Sequence, residues 1–313
     1  MRAYVHPTDV EWSSYLRARP HLDEVNFWIP SGTAFRALAE SEPFLFKSKA
    51  AAGNRMIGGG LYSGSNRMRV SEAWEFFGEG NGSPSEAHLL EQINRYRARS
   101  GAAPEPDPTI GCILLREVFF VPEFAELAPP PDYRSEAVRG RGYSSSDAGW
   151  SHLEQILENL LWRSGRVDES SDLAQFVAGP TRGAPRLVVP RIGQQAFKSL
   201  VLTSYQRRCA ITRSKIRPVL EAAHIRPVAH EGQHRVDNGL LLRTDVHRLF
   251  DGGYLGVDEK YRLQVSPRLR SDFGNGTEFY ARSGEVIELP SRKPDRPDKQ
   301  AVTWHMDTVF KHA

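Results

Sequence analysis

At 313 residues the chain is long enough for two domains with separate cores. Its composition, 40% hydrophobic and 25% charged, excludes disordered and fibrous classes, and no apolar run approaches the ~20 residues that cross a bilayer. A net charge of +3 does not by itself imply a nucleic-acid partner, and two cysteines, Cys112 and Cys209, exclude a disulfide framework and an all-cysteine zinc site.

The opening stretch, MRAYVHPTDVEWSSYL, alternates polar and aromatic residues and lacks the apolar core of a signal peptide, so a cytoplasmic location is expected. NFWIP, FLFKSK and MIGGGLYSG then read as short strands with glycine-rich turns. SEAWEFF and SEAHLLEQINRYRARS read as helices capped by Ser71 and Ser85, with Trp74, Phe77, Leu89, Leu90 and Ile93 on apolar faces. Ser100–Pro108 reads as a surface loop, and IGCILLREVFFVP as one or two buried strands with Cys112 a core thiol. A long connection follows over Ala128–Asp147, then a helix with Trp150, Leu153, Ile156, Leu157, Leu160 and Leu161 on one face, suited to packing between two domains. A third break, Ala178–Arg186, precedes the C-terminal unit.

That unit opens with a helix, GQQAFKSLVLTSY, followed by CAIT, a strand VLEAAHI, a polar loop, a strand NGLLL and a helix TDVHRLFD. YLGVD, YRLQVS, EFYAR and EVIELP read as strands, and AVTWHMDTVFKHA as a closing helix. The predicted class is α+β, with an N-terminal β-barrel-type domain over 1–127, a linker with a helix over 128–186 and a C-terminal domain over 187–313.

Between Val201 and Phe250 nine Lys/Arg face four Asp/Glu, a local excess compatible with phosphate contacts or with a solvated basic face. Phosphodiester hydrolysis needs a base to activate water and a cation to stabilise charge on the phosphate. His224 ends an apolar strand, where its ring is fixed against the sheet and reaches a cleft. His247 and Asp251 are four apart on a helix and share a face, a spacing that suits one divalent ion. Asn238 stands where its amide ties the connecting loop. Taken singly, His247 with Asp251 also fits an ordinary surface pair, and Asn238 before Gly239 an ordinary turn.

The order CAIT…LEAAHIRP…NGLLLRTDVHRLFD resembles the HNH (ββα-metal) nuclease motif, in the branch found among restriction endonucleases. The resemblance covers about residues 193–267. It implies a general base at His224, a loop-holding Asn238 and a metal-binding His247, with Asp251 as a further ligand. Many HNH enzymes carry a ligand directly before the first His; here that residue is Ala223, and Glu221, two residues earlier on the strand, is the expected replacement. Paired Cys-x-x-Cys knuckles are missing, and Cys209 has no nearby partner in sequence. His230 and His234 read as solvated loop histidines or phosphate contacts, and His305 as a packed residue or part of the rim.

FWIPSG…FLFKSK…RMIGGGLYSG…SEAWEFFG resembles the PUA-like superfamily of EVE, ASCH and SRA modules, several of which bind nucleic acid carrying a modified base. That resemblance implies a stacking pocket, for which Trp28, Tyr62 and Trp74 are candidates, and phosphate contacts from Lys47, Lys49, Arg67 and Arg69; the two tryptophans also fit core positions. The combined expectation is a modification-dependent endonuclease that cuts double-stranded DNA near modified cytosine with one divalent cation (Mg²⁺, Mn²⁺, Co²⁺ or Ni²⁺), as a dimer and away from membranes. Two alternatives are an HNH nuclease for unmodified or structured DNA, and a DNA-binding protein with a decayed core.

Overall fold

The computed structural model describes residues 2–164 and 193–312, so the expected break at Ala178–Arg186 lies outside the described residues. Two compact units emerge, Met1–Ala196 and Phe197–Ala313. Their mixture of a sheet-based unit and a hairpin-and-helix unit is the α+β class expected. Among the described residues no helix is long and apolar enough to cross a membrane.

The first unit is built on strands β1 (Arg2–Thr8), β2 (Val25–Ile29), β3 (Pro43–Ser48), β4 (Met56–Arg69), β5 (Thr109–Phe120) and β6 (Arg141–Ser144), in the spatial order β2-β5-β4-β3-β1-β6. Only the β1–β3 pair is parallel. Side chains alternate between the two faces, as the strand period of two requires. Val5 and Leu45 join one core, while Phe44 and Phe46 join another with Trp12, Phe27 and Ile57. Both faces are therefore covered, which explains why β3 is buried along its whole length.

Gly58, at φ 154°, lies where β4 pairs with the end of β5, and a Cβ there would stand 2.2 Å from the Phe119 carbonyl oxygen. The GGG of the sequence is thus a close backbone approach within a long strand. Helices α1 (Val10–Arg17), α2 (Val70–Phe77) and α3 (Glu86–Ala98) decorate this sheet. Ser85 caps α3 as expected, accepting from the His88 amide at 3.2 Å. Ser71 does not cap α2: that helix begins at Val70, and Ser71 instead bonds Asp107 through its amide and its hydroxyl.

Two further corrections concern the connection after residue 128. Its segment Arg141–Ser144 adds β6 to the edge of the sheet beside β1. Helix α4 (Trp150–Ser164) places Trp150, Leu153, Ile156, Leu157 and Leu160 in the core that contains Val5 and Leu45. These five residues of its apolar face are packed within the first unit.

Helix α5 (Gln194–Ser204) leads into the second unit. There β7 (Leu220–His224) and β8 (Gly239–Arg243) form an antiparallel pair, followed directly by α6 (Thr244–Asp251). A second hairpin, β9 (Leu255–Val257) with β10 (Leu263–Val265), packs with α6 and with α9 (Lys299–Thr308). Between them lie α7 (Arg268–Phe273) and α8 (Thr277–Tyr280). EFYAR, expected as a strand, thus contributes to a helical turn, and EVIELP forms no full strand, bridging Arg262 through Val286 and donating from Glu288 to the Ala210 carbonyl.

Candidate active site

The β7–β8 pair and α6 bring the expected C-terminal residues together. Asn238 precedes β8 with its side chain buried and fully used. Its Oδ1 accepts from the Arg226 amide at 2.9 Å, and its Nδ2 donates to the carbonyls of Arg226 and Gln233, both at 2.9 Å. One amide therefore ties both limbs of the loop between the strands. Gly239 has ordinary extended dihedrals (φ −127°), so the Asn-Gly pair is no left-handed turn. A Cβ at Gly239 would meet Val201 at 2.6 Å and Phe197 at 3.0 Å, so glycine there lets α5 lie against the hairpin.

That approach matters because Phe197 stacks on His224, with centroids 4.2 Å apart and planes 12° from parallel. His224 Nε2 lies 3.0 Å from His234 Nδ1. Burial, followed by the nearby charges of His234, His247 and Lys198, lowers the His224 pKa to about 4. The ring is neutral at pH 7, the state a base requires.

His247, on the second turn of α6, has carboxylates on both ring nitrogens. Glu221 Oε2 is 2.9 Å from Nδ1, and Asp251 Oδ2 is 3.3 Å from Nε2. The hydrogen bond to His247 holds the Glu221 carboxyl below its ordinary value. Ala223 is buried and offers no ligand. One imidazole nitrogen binds a cation while the other is steadied by a carboxylate, a common arrangement around ligating histidines. The two carboxylates are therefore not equivalent here. Among the described residues no group of three His, Cys, Asp or Glu is gathered as a metal cluster. Two protein donors, His247 and Asp251, still fit a hard divalent ion that completes its shell with water and substrate phosphate.

Two further motif residues, Cys209 and His305, are buried and packed. Cys209 is buried, and its sulfur accepts from the amides of Thr212 and Arg243, each at 3.4 Å. His305 is buried against Phe250, with ring centroids 3.8 Å apart, and Nε2–H donates to the Phe250 carbonyl. His230 is exposed beside Trp304.

The first unit holds a cavity of about 720 Å³ walled by rings, among them Tyr4, His6, Phe27, Trp28 and Tyr96. Of the expected wall residues only Trp28 lines it. Tyr62 is buried against Phe35, and Trp74 sits half-buried on α2 away from the cavity lining. Lys47 is fully buried, its ammonium donating to the Ser48 and Ser135 carbonyls, so it is no surface phosphate contact. Lys49 lines the cavity and pairs with Asp9 at 2.9 Å and the Tyr96 hydroxyl at 2.9 Å, while Tyr96 also bonds Asp9. Arg67 and Arg69 are exposed.

His6 was not singled out in the sequence, although its spacing of two from Tyr4 on a strand puts both rings on one face. Its Nδ1–H donates to the Pro7 carbonyl at 2.7 Å, and burial lowers its pKa to about 4, so Nε2 is an acceptor at pH 7.

Comparison with known proteins bears on both units. Residues 209–258 match the HNH endonuclease family HNH_2. No curated protein matches the chain. Among solved structures it is similar to a mutant of the ASCH protein ZmASCH from Zymomonas mobilis, at 11% identity and a TM-score of 0.35, over 49% of this chain and 97% of that one. It is also similar to the modification-dependent restriction endonuclease TagI, at 14% identity and a TM-score of 0.27, over 87% of this chain and 63% of that one. It thus spans less than two thirds of TagI, and scores of this size do not establish a common fold. The family match falls on the hairpin and helix that hold His224, Asn238 and His247, so this stretch of the chain is similar to HNH endonucleases, and the match supports a nuclease, a hydrolase of DNA.

Proposed function

We propose that the chain is a modification-dependent DNA endonuclease acting in the cytoplasm, in which the first unit takes a modified cytosine and the HNH domain cuts nearby. The observation that carries this reading is the ring-walled cavity of about 720 Å³ in a unit separate from the nuclease residues. A base turned out of the duplex needs aromatic faces for stacking and polar groups for its edge. Trp28, Tyr96 and Phe27 supply faces; the His6 Nε2 acceptor and the Lys49–Asp9 pair supply polar atoms.

In the HNH domain His224 takes a proton from water through its Nδ1. Asn238 keeps the loop in shape behind it, and His247 and Asp251 would hold the divalent ion. When bound, that ion stabilises negative charge on the scissile phosphate and the departing 3′ oxygen. Glu221 accepts from the His247 Nδ1–H and so fixes the ring, leaving Nε2 as the nitrogen that would bind the ion. A duplex break requires two such centres, hence two copies of the chain on DNA.

Digestion of matched plasmids carrying unmodified, 5-methyl-, 5-hydroxymethyl- or glucosylated cytosine tests the reading, with His224→Ala as control. Cutting confined to one or more modified substrates is expected. Equal cutting of all four removes the modified-base role and leaves a nuclease of other specificity. Binding without cutting in Mg²⁺, Mn²⁺, Co²⁺ or Ni²⁺ removes the nuclease.

A further inference from the structure

The loop between β7 and β8 holds a second histidine in contact with the first. His234 Nδ1 stands 3.0 Å from His224 Nε2, and both rings lie against Phe197, at centroid distances of 5.7 and 4.2 Å. The two contacts fix different freedoms. Stacking on Phe197 sets the plane of the His224 ring, and the nitrogen–nitrogen hydrogen bond fixes which edge turns toward His234. The Asn238 clamp reaches the same pair, because its partners Arg226 and Gln233 are two residues after His224 and one before His234.

We propose that His234 is a positioning residue for the nuclease reaction, selecting the His224 tautomer that carries its proton on Nε2. The inference rests on the reading of His224 as the base. A single proton lies between the two nitrogens of this contact, so one ring or the other donates it. If His234 donates, His224 uses its Nε2 lone pair and carries the proton on Nδ1, leaving it no nitrogen with which to accept a proton from water. If His224 donates, its Nδ1 keeps a lone pair. That nitrogen makes no hydrogen bond among the described residues, so it is available to water. A base held in the wrong tautomer is inactive even when its position is correct.

Nitrogen-15 spectra of the imidazole rings in the full-length, metal-free protein at pH 7 test this directly. The wild type is expected to show His224 protonated on Nε2; a proton on Nδ1 overturns the proposal without any variant. His234→Phe keeps a ring against Phe197 but removes the acceptor. It is expected to give mixed His224 tautomers and a single-turnover cleavage constant about 10- to 100-fold lower, the usual cost of losing an orienting partner, with DNA affinity unchanged. His234→Asn, whose Oδ1 can accept from Nε2–H, is expected to restore most of the rate. A wild-type rate in the Phe variant, or weakened DNA binding at an unchanged cleavage constant, makes His234 a bystander or a phosphate contact and overturns the proposal. The His224→Ala control separates this from failure of the nuclease reading: wild-type cutting there removes the base assignment itself.

Discussion

His247 faces two carboxylates but has only one nitrogen to give to each. Asp251 approaches Nε2 from one turn further along α6, while Glu221 approaches Nδ1 from β7. The roles assigned here make unequal predictions. Asp251→Asn removes a charged ligand and is expected to weaken Mn²⁺ binding, read by electron paramagnetic resonance, by roughly 10-fold or more. Glu221→Ala should cost about 10- to 100-fold in the same affinity, and Glu221→Gln much less, because its amide oxygen still accepts from Nδ1–H. Equal losses in Gln and Ala would make Glu221 a direct ligand. Lys47 offers a contrast within the first unit. Its ammonium is buried on two carbonyls, so Lys47→Ala is expected to lower the melting temperature by the equivalent of ~2 kcal/mol while leaving the DNA affinity of the folded protein unchanged, as a gel-shift titration would show.

At the scale of elements, the strands with apolar alternation and the well-capped helix α3 were legible because local pattern and tertiary demand agree. The HNH segment was legible for a different reason: CAIT, LEAAHIRP and NGLLLRTDVHRLFD together resemble one family motif, although His247 with Asp251, or Asn238, taken singly fits an ordinary surface pair or turn. What escaped was decided by contacts distant in sequence. Arg141–Ser144 has no strand pattern of its own and is extended because the open edge of β1 pairs with it. The aromatic EFYAR looks strand-like, yet Gly276 at φ 102° starts a helical turn, and the Tyr280 hydroxyl fixes that turn by donating to the Ser266 carbonyl at 2.7 Å. The stacking cavity was half legible: Trp28 lies in a recognisable strand, whereas Tyr96 arrives from α3 and His6 from β1. Gly58 gives this scale a direct check. Gly58→Ala sets a methyl group into the Phe119 carbonyl at a backbone angle that L-residues resist. A loss of at least ~2 kcal/mol is expected in urea unfolding, and a neutral result would mean that the β4–β5 pairing relaxes easily.

Across the described residues, one buried histidine and two half-buried ones share one property. Burial leads in lowering His6, His224 and His305 to about 4. Each is neutral in the folded chain at a pH where the unfolded chain has already bound a proton. Their contribution is therefore fully present above about pH 6.5, the unfolded value, and is lost as pH falls toward 4. Because His6 lies in the first unit and the other two in the second, both units are expected to melt at lower temperature as pH drops from 7 to 5. A flat melting profile across that window would contradict the neutral assignment, and replacing His305 by Phe should flatten the second unit's share.

The sulfur of Cys209 is held by two backbone amides, Thr212 and Arg243, at the place where the chain turns into the hairpin. Those bonds do with the peptide chain what a structural ion does in a zinc knuckle: they pin the turn to the start of α6. Folding of this domain is therefore expected not to depend on a bound ion. Stripping divalent ions should abolish cleavage while leaving the circular-dichroism spectrum intact, and returning Mg²⁺ should restore cutting without a refolding lag. A growth medium stripped of zinc should then yield as much folded protein as a replete one.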